Sequence, residues 1–426
     1  MEMAKNNDEE GVVLESEALP SRSVFREYMR MIRMFSRNAR LFLASTVLTG
    51  LSFGIWEAIF NLYLGELGYN ADFAGFVFSL SAFATGLMAL PAGLLCEGLG
   101  RKRSLLLGTL ASNLFSLIQV MTVDSSLILV TSLIAGLVGT ISWVAYSPFM
   151  MENSEKEERT YLFSMSWALM TVAAMVGSLL GGYLPDFFAL LLQVETTIGF
   201  RLTLLCSVAF AFASLLPILL TREKRTLKQK ATQIISLKNM QSRFTILKLI
   251  LTTGLIGFGA GFIVPLFNLF FQNKLNATEE QIGVIFALGQ VALAIGTFLA
   301  PVLSSRIGKV KAVVLCQICS IPFISMIALS GTLELAGFSY LVRGALMNMA
   351  GPIGSTFAME VVQSTERATT SGLTVMADMI PRAVSANLGG QMMSSGEYVV
   401  PYLYTSLFYI AAATLYLRFF RKMEKK

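Results

Sequence analysis

The chain contains no histidine. Imidazole is thereby excluded as a proton shuttle or a metal ligand, and no metal site is expected. Cysteine is scarce, and Cys96, Cys206, Cys316 and Cys319 all fall in apolar stretches. Cys316-x-x-Cys319 has a redox or zinc spacing, but one such pair alone inside an apolar helix reads as packing. No G-x4-G-K-[ST] loop is present, so nucleotide hydrolysis is not expected, nor any cofactor. The opening residues are acidic and polar, unlike a cleavable signal peptide. Charge is also sparse: 14% of 426 residues, against roughly 25% in soluble domains. With 54% of residues hydrophobic, the composition is that of a membrane protein.

Long apolar runs carry that inference further. A helix needs about 20 residues to cross the hydrocarbon core, and twelve stretches qualify, at roughly 41–64, 72–96, 104–123, 126–151, 160–186, 198–221, 245–272, 279–303, 311–330, 335–359, 368–394 and 398–420. The expectation is an all-α membrane protein of twelve spans.

A net charge of +6 invites a nucleic-acid partner, but the distribution excludes that reading. If both termini and the even-numbered loops share one side, all Lys and Arg lie there except Arg201, Lys274, Arg343 and Arg382. The positive-inside rule makes that side cytoplasmic. A multi-pass protein of the plasma or inner membrane is expected.

The chain is also internally duplicated. Phe149 to Arg159 (FMMENSEKEER) recurs as Phe357 to Arg367 (FAMEVVQSTER) at an offset of 208 residues. Glu152, Glu158 and Arg159 answer to Glu360, Glu366 and Arg367. Asn61 answers to Asn268, and the Gly100-Arg101 turn to Gly308-Lys309. So long a period means two related halves rather than a solenoid. Four regions follow: a cytoplasmic tail over 1–40, a six-helix bundle over 41–221, a basic linker over 222–244, and a second bundle with a basic tail over 245–426. Arginines at 22, 26, 30, 33, 37 and 40 form a helical stripe. They suit a basic helix lying on anionic lipid, or equally a positive flank that only sets orientation.

Four charges fall inside the spans. A charge at the bilayer centre costs at least ~2.5–3.5 kcal/mol, so Glu57, Arg343, Asp378 and Arg382 each need a partner or a task. At ~1.5 Å per residue, Glu57 lies about 24 Å from Leu41, Arg343 about 25 Å from Glu360, and Arg382 about 22 Å from Arg367. Three charges thus share a level, and Asp378 sits one turn from Arg382 on the same face. Their counterparts in the other half are neutral. With no histidine, a carboxylate is the natural proton carrier. Alternatively, Asp378–Arg382 is a static intrahelical pair and Arg343 permanently neutralises Glu57. Asn61 and Asn268 either pack helices or hydrogen-bond a solute.

Twelve spans, a six-plus-six duplication, a basic inner linker and the run Gly93-Leu-Leu-Cys-Glu97-Gly98-Leu-Gly100-Arg101-Lys102-Arg103 resemble the major facilitator superfamily. Glu97 stands where that loop motif usually has Asp, and Gly98 where it is usually basic. The resemblance implies two pseudo-symmetric bundles that rock around a central cavity, giving alternating access. It implies a cytoplasmic gate at Gly93, Glu97, Gly100, Arg101, Arg103, Glu152, Arg159, Glu360 and Arg367. It implies a secondary transporter rather than an enzyme, coupled to protons. Its expected partners are a small organic solute, protons and lipid, with the chain acting as a monomer. Export of amphiphilic compounds, with Glu57 recognising cations or protons, is the first reading. Transport of an organic anion or sugar, anchored by Arg343 or Arg382, is the second. A non-transporting receptor or lipid-handling protein on the same scaffold is the third.

Overall fold

The structure is a computed structural model that describes residues 35–153, 159–222, 241–363 and 366–423, without the side chains of Glu97, Arg159, Thr160 and Ala368. Most of the basic stripe over 22–40, most of the linker, Glu158, and the side chains of Glu97 and Arg159 therefore lie outside the described residues.

All regular structure among the described residues is helical. Twelve segments follow in order: α1 (Arg37–Glu66), α2 (Ala71–Leu99), α3 (Arg101–Met121), α4 (Ser125–Glu152), α5 (Arg159–Leu192), α6 (Thr196–Ala213, continued by Leu215–Leu219), α7 (Arg243–Gly261, resumed at Phe267–Leu275), α8 (Glu279–Ile307), α9 (Lys309–Leu329), α10 (Leu333–Val361), α11 (Arg367–Ser394) and α12 (Val400–Phe420). The even count puts the start of α1 and the end of α12 on one face, here the terminal face, opposite the distal face.

Ten of the twelve are long and apolar enough to cross a membrane; α10 and α11 are not among them. Those two are the helices that carry Arg343, Asp378 and Arg382. They are no shorter than their neighbours, at 29 and 28 residues, so polarity alone sets them apart. Such helices are tolerated where their polar face is turned into protein. The outward surface is the reverse: Phe298, Leu190 and Leu329 are 81%, 80% and 74% exposed, apolar area that lipid would cover.

Local sequence accounts for the element ends. Thr278 and Gln281 form a capping box at the start of α8, and the Asp124 carboxylate accepts the Leu127 N–H at 2.8 Å to open α4. Gly100 and Gly308, repeat mates, have φ of +89° and +87° and make the turns into α3 and α9. Few side chains tolerate that backbone. In α7 the helix breaks between Gly261 and Phe267, where Pro265 lies in a single 3-10 turn.

The duplication is equally plain in the packing. α1 packs on α5 and α6, and α4 on α2 and α3; correspondingly α7 packs on α11 and α12, and α10 on α8 and α9. Two six-helix bundles result. They meet along α2 with α11 and along α5 with α8. On the distal side these pairs close to backbone contact. A methyl group added at Gly75 would lie 2.6 Å from the Ala386 carbonyl oxygen, and one at Gly182 would lie 2.7 Å from that of Glu279.

Candidate functional site

Between the bundles lies a cavity of about 620 Å³, a volume suited to a small organic molecule. Glu57 enters it from α1 and Arg343 from α10, so each bundle contributes one charge. Asn61 and Asn268 line it as well. Asp378 and Arg382 lie outside its lining.

Glu57 is exposed to the cavity. Its Oε2 accepts from Gln290 Nε2 of α8 at 3.4 Å, a contact across the bundle interface. Arg343 is 7% exposed. Its Nη2 donates to the Tyr409 hydroxyl at 3.0 Å, and its guanidinium lies 5.4 Å from the centre of the Phe267 ring. Its Nε is buried without a partner. No carboxylate among the described residues lies within 4 Å of it. Arg343 and Glu57 therefore do not neutralise each other by contact. Tyr340, one turn before Arg343, also lines the cavity and stacks on Phe286 with centroids 5.6 Å apart. On the other wall Trp56 stacks on Phe60 at 4.4 Å.

Asp378 and Arg382 pair within α11, with Arg382 Nη2 at 2.8 Å from Asp378 Oδ1. The pair faces α7, where Gly257 and Gly261 let the two backbones approach closely. Arg343 lines the cavity, whereas Arg382 does not and closes on Asp378 instead.

On the distal side of the cavity the bundles are joined by the two repeat-mate asparagines. Asn61 Nδ2 donates to Asn268 Oδ1 at 3.0 Å and to the Pro265 carbonyl at 2.7 Å. Asn268 Nδ2 donates to the Ala58 carbonyl at 3.3 Å. The α7 break thus finds a partner for one of its carbonyls in the other bundle.

On the terminal face, Arg101 Nε and Glu152 Oε1 form an ion pair at 3.3 Å between α3 and α4. Lys309 and Glu360 repeat it between α9 and α10. Both pairs stay within one bundle. Arg103 is exposed, and Gly93 lies on the terminal-face part of α2. Arg367 Nε donates to the Met359 carbonyl at 2.8 Å. Glu366 is 3% exposed and accepts the backbone N–H groups of Gln241 at 2.6 Å and Ser242 at 3.2 Å. Its side-chain hydrogen bond with Ser242 chiefly holds its carboxyl below the usual carboxylate range.

Sequence reasoning missed Gln290, Tyr340 and Tyr409. Neutral polar and aromatic residues are common in spans, and nothing in their spacing singles these out. Gln119, Ser112 and Ser116, which also line the cavity, do carry a signal: they recur at helical spacing on α3.

The sequence profile of the Major Facilitator Superfamily matches residues 41–386 and 249–426. A search of curated proteins finds no match. Among solved structures, the chain is similar to a bacterial homolog of the human lysosomal transporter Spinster, inward-facing and occupied, at 14% identity and a TM-score of 0.72, covering 91% of this chain and 98% of that one. The nucleoside transporter NupG aligns at 14% identity and a TM-score of 0.72, covering 91% and 100%. The human organic anion transporter MFSD10 (TETRAN) aligns at 15% identity and 0.59, covering 89% and 99%.

Proposed function

Because the chain belongs to the Major Facilitator Superfamily, we propose that it is a secondary transporter of a small organic anion, coupled to protons through Glu57. Arg343 carries this reading. It is a buried cation beside a cavity, held by Tyr409 and Phe267, with no carboxylate partner among the described residues. A charge so placed is costly unless an anion or water completes its shell. Of the two expected solute classes, this geometry favours the anion over the cationic amphiphile, and Arg343 over Arg382 as anchor. The organic anion transporter MFSD10 shares the fold, which is compatible with this class but does not select it.

Coupling falls to Glu57, since Asp378 already bonds Arg382. Glu57 faces the cavity, where water can deliver a proton, and its Gln290 contact spans the bundles. Protonation would loosen that contact as the bundles rock. The ion pairs Arg101–Glu152 and Lys309–Glu360 would stiffen each bundle so that it moves as a unit. The clustered Lys and Arg orient the terminal face to the cytoplasm of a cell membrane.

The test is uptake into proteoliposomes. Glu57→Gln should abolish pH-driven accumulation of an organic anion yet keep counterflow exchange, while Arg343→Gln should abolish both. Anion transport that survives Arg343→Gln would overturn the anchor. Accumulation unchanged in Glu57→Gln would overturn the coupling.

A further inference from the structure

The N-terminal bundle presents to the cavity a wall that is polar beyond the one charge of Glu57. Ser112, Ser116 and Gln119 fall at i, i+4 and i+7 on α3, one helix face, and all line the cavity with Ser132 of α4. Hydroxyls inside helices commonly donate to a carbonyl one turn back. Thr140 does so to Gly136 at 2.7 Å, and Ser339 to Leu335 at 2.7 Å. Ser112 and Ser116 make no such bond among the described residues, and neither is closed off from the cavity.

Gln119 is 5% exposed, and its Nε2 donates to Ser132 Oγ at 2.5 Å and to the Ile128 carbonyl at 3.4 Å. Its Oε1 remains an open acceptor, while the Ser132 hydroxyl, already accepting, keeps its proton to donate. Beside Ser116 the same face of α3 continues into a recess of about 240 Å³, lined also by Asn113. Asn113 is 9% exposed, and its Nδ2 is buried with no protein partner.

From these positions we infer that the solute is a hydroxylated organic acid, its anionic group on Arg343 and its hydroxyls along the α3 face. This rests on the organic-anion reading above. The wall mixes open acceptors with open donors, all of them neutral. An ammonium, which only donates, or a carboxylate, which only accepts, would satisfy half of it. A hydroxyl does both. A site built to hydrogen-bond hydroxyls also rejects analogues lacking them, because its own polar atoms are then left unpaired.

Titration calorimetry on the full chain in lipid nanodiscs would use three six-carbon probes: gluconate (charge and hydroxyls), hexanoate (charge only) and sorbitol (hydroxyls only). Gluconate should bind on the order of tenfold or more tighter than hexanoate, as two or three hydrogen bonds imply. Substituting Ser112→Ala, Ser116→Ala and Gln119→Met together should bring the gluconate-to-hexanoate ratio towards one, with a monodisperse, cooperatively melting protein as the folding check. Arg343→Gln should weaken both acids. Hexanoate binding as tightly as gluconate would overturn the inference and leave the organic-anion reading standing. A ratio that persists in the triple variant would overturn the α3 assignment. Sorbitol binding as well as gluconate, indifferent to Arg343→Gln, would overturn the anion reading instead. No binding by either acid would remove both.

Discussion

Asn61 and Asn268 occupy equivalent places in the two halves of the chain, and their side chains meet across the bundle interface at 3.0 Å. Because Asn61 also holds the Pro265 carbonyl, this pair latches the distal side of the cavity. Interhelical hydrogen bonds in membranes contribute about 0.6 kcal/mol each, and up to about 1.7. Asn61→Ala should therefore shift the equilibrium towards distal opening by roughly tenfold. Asn268→Ala should act similarly, and the double change should not exceed either alone by much, since the bonds are shared. The rate at which an impermeant thiol reagent labels Gln290→Cys from the distal face, in a cysteine-free background, measures the shift.

Backbone contact at Gly182 gives a sharper version. Its neighbours there are the Glu279 carbonyl and the Gly283 Cα at 3.0 Å, neither of which can swing aside. Gly182→Val should wedge α5 from α8 and hold the distal side open. Spin labels at Glu66 and Glu280 should read a longer separation than in the parent protein, and solute turnover should fall. An unchanged separation would show that the helices can shift to absorb a side chain.

Tyr409 touches Arg343 at 3.0 Å and lies outside the cavity lining, so under the proposed function it would position the anchor rather than the solute. Tyr409→Phe removes that one hydrogen bond and preserves the ring. KM for the transported anion should rise about three- to tenfold with little change in kcat. A fall in kcat at constant KM would instead mean that Tyr409 acts on the rocking step.

The Glu366 carboxylate ties the start of α7 to the start of α11 through two backbone N–H groups. Its pKa is lowered in the folded protein, so the unfolded chain holds its proton up to a higher pH. The stabilisation is therefore fully present above the ordinary carboxylate value of 4.5 and is lost as the pH falls through the lowered folded value. Thermal melting from neutral to acid pH should show this loss in the parent protein. Glu366→Gln should melt lower at neutral pH and show a shallower acid decline. Parallel curves would mean that other carboxylates dominate.

The order of twelve helices was legible in the sequence because its determinants are local. A span needs about 20 apolar residues wherever it lies, and a glycine turn such as Gly100 or Gly308 works the same way in both halves. The duplication carried the rest, since Arg101–Glu152 and Lys309–Glu360 sit at matching positions and form matching pairs.

Azimuth was not. Helix rise alone gives Glu57, Arg343 and Arg382 similar expected depths, yet only the first two line the cavity, while Arg382 closes on Asp378 beside α7. Which face of a helix looks inward depends on neighbours that come from distant parts of the chain, such as Gly257 and Gly261 beside α11. The sequence by itself determined that four charges had to be accommodated within the membrane segments. Tertiary packing alone decided that one pair would be bonded to itself and that the other two side chains would face the cavity.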